Sequence, residues 1–173
     1  MLRSSHPNLF SWVKYLVEEK NLDIYERDKG FRTLFFNAVK SKNREIVDVM
    51  KYIESKGLDL HKKCGIGRNV AFSAISFTNP VMKLEIVKYL RERDVDFTLT
   101  DARQETVLTY YDKDRKATTR KTMDEPIPKE EIEVILECLA AGAEPWWGKE
   151  SGDPVGYLKN QEALTWRMLK EYK

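Results

Sequence analysis

The chain has 173 residues, 42 % hydrophobic and 34 % charged, with 30 basic against 28 acidic side chains and a formal net charge of +2. This composition supports one folded domain with a sizeable core rather than a disordered chain. The near-balance of charge excludes the strong positive field of a dedicated nucleic-acid binder. No apolar run approaches the roughly 18 residues of a membrane span, and residues 1–8 lack the apolar core of a signal peptide. With only Cys64 and Cys138 and no secretory signal, both thiols are expected to be reduced and the chain to work in the cytoplasm.

Ser5-His6-Pro7-Asn8 supplies cap candidates and an early proline ahead of an amphipathic helix over residues 9–20. Inside that helix stands Val13-Lys14-Tyr15-Leu16, which returns as Met50-Lys51-Tyr52-Ile53 and Val87-Lys88-Tyr89-Leu90, 37 residues apart each time. A second echo, Leu22-Asp23-Ile24, recurs as Leu58-Asp59-Leu60 and Val95-Asp96-Phe97. A period between about 20 and 50 residues marks a repeat architecture.

The repeats read in register as a turn, a short helix and a long helix. The turns are Asp28-Lys29-Gly30, Cys64-Gly65-Ile66-Gly67 and Asp101-Ala102-Arg103-Gln104. Short helices are expected over residues 33–38, 69–74 and 106–111, and the long ones carry Ile46, Val49, Met50 and Ile53, or Met82, Ile86, Tyr89 and Leu90, at helical spacing. Phe35, Phe36, Phe72, Trp12, Tyr15, Tyr52 and Tyr89 recur at equivalent helix positions and are expected in the core.

After residue 111 the period breaks. The surplus is a polar insert, residues 112–128, with Lys113, Arg115, Lys116, Arg120 and Lys121 among threonines. It is expected to be an exposed, mobile loop on the edge of the solenoid. Lys129-Glu130-Glu131 suits the start of the next helix, and Gly142-Ala143-Glu144-Pro145 closes the unit. Trp146 and Trp147 are adjacent in an extended segment, so their side chains point to opposite sides and both cannot easily be buried. A last amphipathic helix is expected over residues 161–172 as a terminal cap.

His61 and Cys64 have a metal-like spacing, but they fall on a turn, and only His6 and Cys138 in distant units remain to complete a shell. No third residue orients them for nucleophilic catalysis. Cys138, beside Leu136 and Leu139 on an apolar face, reads as a core residue, and Gly65-Ile66-Gly67 as a repeat turn rather than a phosphate loop. No metal, cofactor or small-molecule substrate is expected.

The unit of a turn and two helices resembles that of the ankyrin-repeat family, which opens its helices with Thr-Pro-Leu-His-x-Ala. Gly57-Leu58-Asp59-Leu60-His61 with residues 64–67, and Asp94-Val95-Asp96-Phe97-Thr98 with residues 101–104, follow the family's Gly-Ala-Asp-Val-Asn and Asp-x-x-Gly stretches without a gap. No repeat keeps the proline or histidine of the signature. The resemblance implies an all-α solenoid of stacked helix pairs with short hairpin turns: a half-repeat cap over 1–27, repeats over 28–63, 64–100 and 101–148, and a cap over 149–173. It also implies a non-catalytic adaptor that binds another protein on its concave face, with Phe31, Ile66, Arg68, Phe77, Arg103, Tyr110, Trp146 and Trp147 as contacts. Irregular, highly charged repeats of this kind are similar to those of viral and intracellular-bacterial proteins that act in a host cytoplasm. The competing reading is an anion binder, for nucleic acid or acidic membrane, through the basic insert.

Overall fold

The computed structural model describes residues 8–76, 80–111 and 129–144. The described residues form helices α1 (Leu9–Glu18), α2 (Leu34–Ala38), α3 (Ile46–Ser55), α4 (Val70–Ile75), α5 (Pro80–Arg91), α6 (107–111) and α7 (Lys129–Ala140). Among them, extended pairing is limited to one isolated antiparallel bridge between Thr100 and Thr106. The insert at 112–128, Phe77, the Trp146-Trp147 pair and the expected C-terminal cap lie outside the described residues.

Packing follows chain order. α1 lies against α3, α3 against α5 and α5 against α7, while α2 packs on α3 and α4, and α4 on α5. One core runs through these contacts. It is filled by Leu9 and Val13 of α1, Phe35 of α2, Ile46, Met50 and Ile53 of α3, Phe72 of α4, and Ile86 and Leu90 of α5.

Recurring sequence makes recurring local structure. α3, α5 and α7 each end on a left-handed residue, Gly57, Asp94 and Gly142 (φ 88°, 53° and 88°). The N–H that follows then bonds five residues back, Leu58 to Ile53, Val95 to Leu90 and Ala143 to Cys138 at 3.3, 3.1 and 2.9 Å. This is the Schellman way of closing a helix. The aspartate of the second echo then bends the chain identically three times: Asp23, Asp59 and Asp96 Oδ1 accept from Tyr25, His61 and Thr98 N–H, each at 2.8 Å. That bend drives the next side chain, Ile24, Leu60 or Phe97, into the core.

The short helices start on buried polar residues. Asn69 Oδ1 accepts from Ala71 N–H at 3.1 Å and its amide donates to Asp96 O at 2.6 Å. Thr106 and Thr109 cap each other reciprocally, with N–H to Oγ1 distances of 2.6 and 3.1 Å. This satisfies N–H groups that a helix start leaves open. α1 is capped differently from expectation: the Asn8 side chain makes no cap bond, and the carboxylate of Glu45 accepts from Phe10 N–H at 3.1 Å.

The tyrosine of the repeated tetrapeptide ties α3 and α5 each to the long helix before it. Tyr52 OH donates to Glu18 Oε1 at 3.0 Å, where Lys56 Nζ also arrives at 3.1 Å after crossing the Tyr52 ring. One unit on, Tyr89 OH donates to Glu54 Oε2 at 2.6 Å, Arg93 Nε reaches the same oxygen at 2.6 Å, and its guanidinium lies 4.1 Å from the Tyr89 ring centroid. Burial, then the Glu54 hydrogen bond, pushes the Tyr89 phenol far above its usual range.

Trp12 and Tyr15 depart from the expected core placement: they are 43 % and 40 % exposed. α1 turns Leu9 and Val13 toward α3, so the helix periodicity carries residues 12 and 15 to the side that no described helix covers. The two rings stack on each other, 5.5 Å between centroids and 21° between planes.

Candidate functional site: a ridge of three turns

Three turns of identical design stand between the long helices and the short ones. Residue i of each accepts and donates across the turn: Asp28 N–H to Arg32 O, Cys64 N–H to Arg68 O and Asp101 N–H to Glu105 O, at 3.2, 2.8 and 3.0 Å. Residue i+3 is left-handed in all three, at Phe31, Gly67 and Gln104 (φ 58°, 82° and 59°). Successive turns are joined by main chain, Gly65 N–H to Gly30 O and Ala102 N–H to Ile66 O, both 2.9 Å. The tips therefore form one continuous ridge.

The outer turns are held by their own aspartates. Asp28 Oδ1 accepts from Gly30 and Arg32 N–H, and Asp101 Oδ1 from Arg103 and Glu105 N–H, over 2.8–3.0 Å. Burial raises each carboxyl, but these N–H groups and a guanidinium outweigh it and hold both below the usual carboxylate range. The middle turn has Cys64 where the others have aspartate, and the consequence falls on Arg68. Arg32 pairs with Asp28 of its own turn at 2.7 Å, whereas Arg68 reaches to the next turn, with Nε 2.7 Å from Asp101 Oδ2 and Nη2 2.6 Å from Glu105 Oε2. Its guanidinium also covers the Tyr110 ring at 4.0 Å.

Phe31 and Ile66 are 60 % and 39 % exposed. The Phe31 ring rests on the next turn: a Cβ added at Gly65 would sit 3.3 Å from Phe31 Cδ2. The main-chain bond between their turns places both residues on the same ridge. Arg103 is exposed at the third tip. Arg68 and Tyr110 are not the open side chains that the sequence reading expects. Only 13 % of the Arg68 side chain is exposed, and it shields Tyr110, because the absent aspartate at position 64 frees it to bridge turns. Phe77, Trp146, Trp147 and the insert cations Lys113, Arg115, Lys116, Arg120 and Lys121 lie outside the described residues.

Charge on the ridge is asymmetric. Asp28, Asp101 and Glu105 are consumed in ion pairs, whereas exposed Arg27, Lys29, Lys63 and Arg103 meet no carboxylate among the described residues. Sequence reasoning missed Lys29 and Lys63. Their register beside the turns was the available signal.

His61 and Cys64 belong to the approach to the second turn, His61 exposed and Cys64 half-buried. Among the described residues no three His, Cys, Asp or Glu side chains converge as a metal would require. Cys138 is fully buried, and burial followed by the neighbouring Glu137 pushes its thiol up to about 12. No described helix is long and apolar enough to cross a membrane. Neither a protein-family model nor a curated protein matches this chain.

Proposed function

We propose that this chain is a non-catalytic protein-interaction module of ankyrin type, working in the cytoplasm, that holds a partner protein on the ridge of its turns. The period of 37 residues and the helix packing in chain order support a stacked-repeat reading. The observation that carries the function is Phe31. A bulky residue with φ 58° and 60 % exposure is held in a conformation that costs an L-residue roughly 1–2 kcal/mol. Gly67 occupies the same position one turn later without that cost. Strain kept at an exposed apolar tip points to use of the side chain, here as an anchor next to Ile66. The exposed cations of the ridge, which meet no carboxylate among the described residues, suit a partner whose contact surface is acidic at its rim.

The test is affinity capture from lysate by the full chain and by Phe31→Gly and Ile66→Ser variants, with folding checked by circular dichroism. A protein retained by the parent chain and lost by both folded variants is the expected result. Equal retention by all three would overturn the ridge as the binding surface.

A further inference from the structure

We propose that the exposed face of α1 around Tyr15 docks a helix of a second protein that offers a carboxylate to the Tyr15 hydroxyl. Twice in this chain the tyrosine of the repeated tetrapeptide receives a glutamate from the long helix before it: Tyr52 from Glu18 of α1 and Tyr89 from Glu54 of α3. In both cases a cation of the tyrosine's own helical end lies over the ring and reaches the same carboxylate. Tyr15 is the same residue of the first tetrapeptide, and Lys20 lies over its ring with Nζ 5.5 Å from the centroid.

What Tyr15 lacks among the described residues is the acid. Among the described residues no carboxylate bonds its hydroxyl; Glu18 is committed to Tyr52 and Lys56, and Lys14 approaches that same glutamate at 4.0 Å. Residues 1–7 contain neither aspartate nor glutamate. One difference from the internal pairs bears on affinity. Glu19 stands four residues after Tyr15, where Lys56 and Arg93 stand after theirs, and Lys20 provides the cation one position later. The occupant is a helix because both internal carboxylates come from the last turn of a ten-residue helix.

The probe is a synthetic peptide with the sequence of residues 43–57, the α3 segment that offers Glu54, locked as a helix by a side-chain cross-link. Titrated into the full chain, it is expected to shift the Tyr15 ring signals in NMR spectra. The Glu54→Gln peptide, or the Tyr15→Phe chain, is expected to bind about tenfold more weakly, the scale of one hydrogen bond to a charged group. Because Tyr15 is exposed, its replacement by Phe leaves the fold intact, and the two losses should not add. Equal affinity of the Glu and Gln peptides, or shifts confined to other residues, would overturn the proposal. So would sedimentation showing that the chain dimerises and that Trp12→Ser dissolves the dimer, since the occupant would then be a second copy.

Discussion

Arg68 leaves its own turn and places Nε 2.7 Å from Asp101 Oδ2 of the next. That single bridge couples a cysteine at one tip to a buried carboxylate at another. Arg68→Ala removes the only counter-charge that Asp101 meets among the described residues and leaves Glu105 without the same partner. A loss of about 2–4 kcal/mol is expected, between the value of a hydrogen bond to a charged group and that of a buried ion pair. It should be read as a fall in the urea midpoint without a change in slope. Cys64→Asp should give Arg68 the acceptor that Arg32 enjoys, draw it back to its own turn and weaken the bridge; a crystal structure of that variant with Arg68 still on Asp101 would refute the explanation.

Phe31→Gly separates stability from binding. Glycine relieves the left-handed strain and exposes no cavity, so thermal stability is expected to stay level or rise by up to about 1 kcal/mol while partner retention falls. Gly65→Ala is the converse. Its new Cβ would sit 3.3 Å from Phe31 Cδ2 and shift the ring by a few tenths of an ångström, so a small fall in binding is expected with Phe31 itself unchanged. A clear loss of thermal stability in Phe31→Gly would show the side chain to be structural.

Lys83 of α5 is buried, with Nζ 3.0 and 3.2 Å from the two oxygens of Glu131 in α7, and Tyr111 OH bonds the same carboxylate. Lys83→Met strands that acid, and a loss of about 3–5 kcal/mol is expected. Adding Glu131→Leu should restore most of it, because an apolar pair needs no counter-charge. Equal destabilisation by the single and double variants in chemical denaturation would show that packing, not charge, governs this contact.

Acid should loosen the ridge. The carboxyls of Asp28 and Asp101 are held below their usual range, and that of Asp59 is lowered chiefly by the His61 N–H. Groups with a depressed folded pKa stabilise the native state above the ordinary aspartate value of about 3.9, and that stability is lost as pH falls through the folded values. Melting temperature should therefore be flat near neutrality and fall below about pH 4, with a shallower fall in an Asp28→Asn, Asp101→Asn variant. Identical acid profiles for parent and variant would remove these two residues from the account.

The sequence by itself determined the helical class, the period and the local punctuation. Helix ends at Gly57, Asp94 and Gly142 and the aspartate bends at 23, 59 and 96 depend on backbone conformation and short-range hydrogen bonds, which residue type and spacing specify directly. Tertiary structure alone decided which side chains face outward. Trp12 and Tyr15 share helix positions with Val49, Ile86 and Tyr89, which are buried, yet they are 43 % and 40 % exposed because no described helix covers α1 on that side. Arg68 looks like a tip residue and is instead bound, because its acceptor lies 33 residues away on the adjoining turn. Phe31 lies against Gly65 only once one turn stacks on the next. Such neighbours are distant in sequence, and their meeting depends on how the turns stack, a relation that no single repeat encodes.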